Sequence, residues 1–329
     1  MAESTRSQPN KELVLKLIED FPKKRVLVIG DSILDTNTYL ELIGKSLEHP
    51  VPKYKHLRTE HSFGGAANVV KNILALGGQC TFVTLLGDDS ASKNFYEWNH
   101  PSLKFCPVVE RGRQTTIKDM HWVVQGNETI PHEKIDYLDN REISAVPRAQ
   151  VLEKIAENAD ADITLLVDYR HGMMSPLLTE SAREFLKGRR IIASSQISQA
   201  NGNHREYAGI GLICMNQKEA ESLLATAGSS STAYLDLEGQ LGSVCVTLGK
   251  NGSILYSQGK TYPAGGIKVK EVDSCGAGDS FLAALSLTDF REHPLETLYI
   301  ANVWAGLSVT KRGTQAPEKQ EFVNYIKEN

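Results

Sequence analysis

The sequence predicts an α/β fold, a parallel sheet with helices on both faces and a small second β-sheet beside it. Three observations carry this. Short apolar runs rich in β-branched residues recur along the chain. Helical stretches separate them. Two polar segments of alternating pattern interrupt the rhythm. At 329 residues the chain suits one large domain of this class with a small attachment.

Taken in order, residues 1–10 are polar and read as disordered. Residues 11–20 place Leu13, Leu15 and Leu17 at loosely helical spacing. RVLVIG (25–30) is a short apolar run ending in Gly, so it reads as a buried strand. TFVTLLG (81–87), ITLLVD (163–168), RIIASS (190–195), IGLICMN (210–216) and SVCVTLG (243–249) read the same way. Helical stretches lie at 68–76, 148–159, 177–186 and 217–227. Strands alternating with helices imply a parallel sheet covered on both faces. Ligands then bind beyond the carboxyl ends of the strands. Residues 38–62 and 105–137 read as strands of a smaller sheet able to cover that site.

Composition narrows the function. Acidic residues number 40 and basic residues 36, a net charge of −4. That balance gives no reason to expect a nucleic-acid partner. The five cysteines are scattered without a CxxC pair, so neither a disulfide framework nor a zinc site is indicated. No apolar run approaches the ~20 residues that span a bilayer, and residues 1–24 lack a signal-peptide core. A cytoplasmic protein without a membrane partner is the expectation.

DSCGAGDSF (273–281) is the most informative stretch. Small residues precede an apolar helical run, and Asp279 stands at the helix start. Unpaired N–H groups and the helix dipole at such a start favour an anion. Small residues let it come close. A carboxylate there would repel the anion unless it performs chemistry. A general base taking a hydroxyl proton, beside N–H groups that hold a transferring phosphate, explains both features. Helix capping by Asp is the competing reading. Neither a Walker A loop nor a dinucleotide fingerprint is present.

HSFGGAANVVKNILALGG (61–78) follows similar logic. Gly64 and Gly65 let a polyhydroxy ligand lie against the backbone, and Asn68 offers a donor and an acceptor to hydroxyls. Upstream, in GDSILD (30–35), Asp35 could accept from two hydroxyls of a sugar. GDSI also resembles an esterase block with Ser32 as nucleophile. That reading needs a D-x-x-H, and DFREH (289–293) has one residue too many.

With these stretches come N-x-x-E (Asn216 to Glu219), VTLGKNG (246–252) and D-x-x-GAGD (Asp273 to Asp279), in order. Alone, the first is as readily a capping box and the second a hairpin turn. Together they resemble the ribokinase-like (PfkB) carbohydrate kinases over about residues 24–325, behind an N-terminal extension and helix at 1–23. The resemblance implies a three-layer α/β/α sandwich with a mostly parallel sheet and a β-sheet lid. It implies an ATP-dependent sugar kinase with Mg²⁺ and a K⁺ ion, and the exposed edges of the lid strands point to a homodimer through the lid. By position, Asp279 is the base, and the N–H groups of Gly276, Ala277 and Gly278 form the anion hole. Asn216 and Glu219 serve the phosphates and Mg²⁺, Glu219 through water. Thr247, Gly249 and Gly252 line the nucleotide site, and Asn302 lies near the adenine. Asp35, Gly64, Gly65 and Asn68 hold the sugar. Asp273 is the candidate for a monovalent cation. A non-catalytic sugar-binding protein on the same fold is the rival within the resemblance.

SLEHPVPKY (46–54), RGRQTTIKD (111–119), DYRHG (168–172) and KRGT (311–314) resemble segments of the kinases of D-glycero-D-manno-heptose 7-phosphate, from lipopolysaccharide biosynthesis. Arg113 and Lys118 would suit a sugar that already carries a phosphate. Departures from those kinases fall in the sugar half: TNTY (36–39), Met120 and His121, His171 in place of Lys, and SSQISQAN (194–201). The bifunctional heptose enzymes carry a nucleotidyltransferase domain as well; this chain is expected to hold the kinase alone.

Overall fold

The computed structural model describes residues 8–196, 203–225 and 233–329. In chain order its strands are β1 (Arg25–Gly30), β2 (Ser32–Lys45), β3 (Pro52–Gly65), β4 (Gln79–Gly87), β5 (Leu103–Glu110), β6 (Ile117–Gln125), β7 (Glu128–Tyr137), β8 (Ile163–Asp168), β9 (Ile191–Ser195), β10 (Leu212–Asn216), β11 (Ser243–Thr247), β12 (Ser253–Ser257) and β13 (Lys260–Ala264). The helices are α1 (Lys11–Glu19), α2 (Ala66–Leu76), α3 (Lys93–Tyr96), α4 (Ala145–Glu157), α5 (Pro176–Phe185), α6 (Gln217–Ala225), α7 (Ala233–Leu241), α8 (Ala277–Ser286), α9 (Pro294–Ser308) and α10 (Lys319–Glu328).

All six apolar runs form strands of one sheet, in the order β13-β12-β11-β10-β9-β8-β1-β4-β5. Pairing is parallel from β10–β11 across to β4–β5 and antiparallel in the hairpins at the other edge. The two-residue period of a strand explains the three layers. On β1, Val26 and Val28 join the core built on α1, α2, α8, α9 and α10. Leu27 and Ile29 join the core on α4, α5, α6 and α7. Both faces of β1 are therefore dry, and its sequence is continuously apolar. The N-terminal helix is part of the first core, since Val14 and Ile18 are buried in it.

A second sheet runs β3-β2-β6-β7. Its boundaries differ from expectation at one point. The segment assigned to the lid from 105 includes β5, which instead pairs in parallel with β4 in the main sheet. Cys106 and Val108 are buried in one core there, and Leu103 and Phe105 pack, partly buried, against the other. A partly exposed edge strand alternates as a lid strand does, and Pro107 is tolerated at an edge. The lid's second segment is thus β6 and β7. The helical stretch at 217–227 lies within the described residues as far as 225, and much of the polar start, residues 1–7, lies outside them.

From β1 the strand order runs outward in two directions, through β4 to β5 on one side and from β8 to β13 on the other. The crevice beyond the carboxyl ends of β1 and β8 is the topological switch point, where ligands bind in such sheets. Gly30 closes β1 there; a Cβ would stand 2.1 Å from the Val167 carbonyl oxygen.

Candidate active site

Asp279 lies in the first turn of α8 at that crevice. Gly276, the residue before the helix, has φ 76°, a left-handed conformation that glycine accepts without strain. A Cβ on it would also stand 2.5 Å from Asn68 Nδ2. Asp279 is buried, and both of its oxygens accept hydrogen bonds. Asn68 Nδ2 donates to Oδ2 at 2.8 Å. The Tyr169 hydroxyl donates to Oδ1 at 2.5 Å. Burial pushes the carboxyl up to about 6, against the pull of both donors; Asp35 adds to the rise and Lys71 opposes it. The group is therefore mostly ionised at pH 7 yet basic enough to take a proton.

The N–H groups around Asp279 divide. Ala277 N–H closes a turn to the Ser274 carbonyl at 3.3 Å. Those of Gly276 and Gly278 have no partner among the described residues. Two unpaired donors beside a helix start are what a phosphate oxygen requires.

On the sugar side, β2 and β3 pair antiparallel, with Asp35 opposite Ser62 and Ile33 opposite Gly64. A Cβ at Gly64 would stand 2.3 Å from Asp35 Oδ2, so only glycine leaves that carboxylate its place. Gly65, at φ 59°, turns the chain into α2. No donor among the described residues reaches the Asp35 carboxylate, which burial pushes up while Lys118, Lys134 and Lys71 pull it down. Lys118 lies beside Asp35 in the parallel β2–β6 register. Asn68 is turned to Asp279, and its Oδ1 accepts from Asn72 Nδ2 at 3.3 Å. It therefore orients Asp279.

Arg113 does not stand free for a substrate phosphate. Its side chain is 4% exposed and pairs with Glu110 at 2.5 Å. It also donates to the carbonyls of Asp139, Arg141 and His171. Its guanidinium is spent tying the loop before β6 to the turn after β8. His171 bonds Asn140 Oδ1 through Nδ1 at 2.9 Å, and burial, helped by Lys118, pushes it down to about 4. It is thus neutral at pH 7.

On the nucleotide side, a cavity of about 180 Å³ is lined by Thr247, Gly249, Gly252, Ala277, Gly278 and Asn302. A second, of about 130 Å³, is lined by Asn216, Glu219, Thr247, Gly278, Asp279 and Tyr169. Thr247 and Gly278 border both, so the two meet at the anion site. Gly252, at φ 94°, closes the hairpin after β11, where a Cβ would meet the Ala264 carbonyl at 2.1 Å. Asn302 Nδ2 donates to the carbonyls of Ala264 and Gly265 at 3.2 and 3.3 Å, pinning the cavity wall. Asn216 and Glu219 form a reciprocal capping box at the start of α6: Asn216 N–H donates to Glu219 Oε2 at 2.8 Å, and Glu219 N–H to Asn216 Oδ1 at 3.0 Å. Capping and facing the cavity coexist. Asp273 accepts from Cys275 N–H and Gly313 N–H at 3.0 and 2.9 Å, joining the anion loop to the 311–314 turn.

Sequence reasoning passed over three residues. Tyr169 donates to Asp279. Lys71, one turn beyond Asn68, donates to the Thr314 carbonyl. Asp31, buried at the end of β1, accepts from the N–H groups of Tyr169, His171 and Met173. The findable signal was position: Asp31 and Tyr169 directly follow strands at the switch point. SSQISQAN lies partly outside the described residues.

The pfkB family carbohydrate kinase model matches residues 23–321. Among curated proteins, "Bifunctional protein HldE" of Caulobacter sp. (strain K31) is 29% identical over 327 residues, covering 95% of this chain and 64% of its own length. The protein of the same name from Paramagnetospirillum magneticum is 30% identical, covering 93% and 64%. The chain thus spans under two thirds of these relatives. Phosphofructokinase-2 from Escherichia coli, solved with substrates and products, superposes with TM-score 0.73 at 19% identity, over 92% of this chain and 99% of that one. Ribokinase from Arabidopsis thaliana, complexed with ribose and ATP, gives TM-score 0.68 at 19% identity, over 92% and 99%. The chain belongs to the pfkB family of carbohydrate kinases. It is a phosphotransferase that acts on a sugar hydroxyl and has the ribokinase-like three-layer fold. Among the described residues no helix is long and apolar enough to cross a membrane.

Proposed function

We propose that the chain transfers the γ-phosphoryl group of ATP to the 1-hydroxyl of D-glycero-D-manno-heptose 7-phosphate. The observation that carries phosphoryl transfer is Asp279, doubly hydrogen-bonded and buried, beside the unpaired N–H groups of Gly276 and Gly278. The acceptor hydroxyl gives its proton to Asp279. Its oxygen bonds to the γ-phosphorus as the bond to the ADP oxygen breaks. The two N–H groups receive charge on the transferring group. Asp35, Gly64 and Gly65 hold the sugar, and the lid excludes water that would otherwise accept the phosphoryl group.

Asn216 and Glu219 suit Mg²⁺, which favours a carboxylate with phosphates and waters over an all-protein cage. Burial pushes the Glu219 carboxyl up, with the Asn216 bonds opposing. Mg²⁺ bound there would neutralise phosphate charge. K⁺ beside Asp273 belongs to the same reading. So does a homodimer through the lid, supported by the unpaired edges of β3 and β7 and by exposed Leu42, Ile43, Leu57 and Ile130.

The heptose assignment rests on the resemblance of the sugar-half segments and on Lys118, whose ammonium makes no hydrogen bond or ion pair among the described residues. The engaged Arg113 and neutral His171 favour a second reading, another sugar or sugar phosphate. ADP release against a panel decides between them. The panel is heptose 7-phosphate, unphosphorylated heptose, fructose 6-phosphate and ribose. Heptose 7-phosphate should give the highest kcat/KM. A higher value for another member transfers the assignment to it.

A further inference from the structure

Tyr169 bonds the base yet has no part in the transfer as described. Its backbone is fixed by the 2.9 Å bond from its N–H to buried Asp31, beside the parallel bonds from His171 and Met173. Its ring lies under Lys118, whose Nζ is 5.6 Å from the ring centre. Its hydroxyl reaches Asp279 Oδ1 at 2.5 Å, opposite the Asn68 bond to Oδ2.

We propose that Tyr169 is a positioning residue for the base, fixing the plane of the Asp279 carboxylate between two donors and keeping it in its proton-accepting form. The inference rests on Asp279 being the base. The two donors use one lone pair on each oxygen, so a lone pair remains for the acceptor hydroxyl. Charged and titratable groups facing the site are Asp35 on β2, Lys71 on α2, Cys275 in the preceding loop and Lys118 above the Tyr169 ring. Burial already pushes Asp279 up to about 6 with both donors in place. Loss of a donor to the anion takes it further in the same direction.

The test follows the Asp279 carboxyl by ¹³C NMR in protein labelled at aspartate side-chain carboxyls, with Asp279→Asn assigning the signal. In Tyr169→Phe the titration should move up by about one pH unit, and the acid limb of kcat should move with it. 4-Aminophenylalanine at 169, which keeps a donor at the para position, should return the titration toward the unmodified position. If Tyr169→Phe does not fold, 3-fluorotyrosine at 169, a stronger donor of nearly the same shape, should move the titration down. An unmoved titration overturns the proposal, as does a lowered kcat plateau with an unmoved acid limb. Absence of turnover on every sugar would sink the proposed function but leave the NMR titration to decide the role of Tyr169.

Discussion

Asp279→Asn is expected to lower kcat by about 10²–10⁴, the usual worth of a positioned base, while ATP still binds. Steady-state rates and a nucleotide-binding titration measure the two separately. A loss below about tenfold would contradict the assignment. The wild-type rate should fall as pH drops through about 6, where burial places the Asp279 carboxyl, because the base must be ionised. The same shift sets the sign for stability. The folded-state value lies above the ordinary carboxylate range, so the fold disfavours the ionised form. That penalty is full at neutral pH and fades as pH falls through about 6. Asp279→Asn should therefore raise the melting temperature at pH 7 while removing activity. The amide can accept from Asn68 and donate to the Tyr169 oxygen; the Tyr169 O–H then gives up its Asp279 acceptor, which trims the gain without reversing it. A binding site built on a destabilised carboxylate is the familiar opposition of stability and function.

Asp35→Ala is expected to raise KM for the sugar by about 10–100-fold, the worth of hydrogen bonds to a buried charged acceptor. KM for ATP should change little, since Asp35 stands on β2 and the nucleotide cavity is lined by other elements. An unchanged sugar KM would remove Asp35 from the site. The carboxylate is poised for this role. It takes no hydrogen bond from the described residues, and three lysines pull against its burial.

Much of the fold was legible because its central strands are buried on both faces. A strand such as RVLVIG is apolar throughout only when the sheet is covered twice, and Val26/Val28 and Leu27/Ile29 do enter separate cores. β5 reads like a lid strand because, at the sheet edge, only Cys106 and Val108 of its residues are fully buried. The hairpin β12–β13 was missed because its segments are short and β13 is largely exposed.

Legibility of the site followed its backbone. Gly64, Gly65, Gly252 and Gly276 stand where close approach or positive φ demands glycine, and a glycine pattern survives in one dimension. Side-chain partners do not. Arg113 resembles a phosphate ligand until Glu110, one turn earlier, is seen to hold it. Tyr169 gains its meaning only when β8 and α8, far apart in sequence, bring its hydroxyl to Asp279.

The most direct test is ³¹P NMR of wild-type protein and Asp279→Asn incubated with ATP, Mg²⁺ and D-glycero-D-manno-heptose 7-phosphate. Wild type should form ADP and a new anomeric phosphate signal in equal amounts, and the variant neither on the same timescale. Equal product formation by both proteins, or ATP loss without a phosphorylated sugar, would contradict transfer through Asp279.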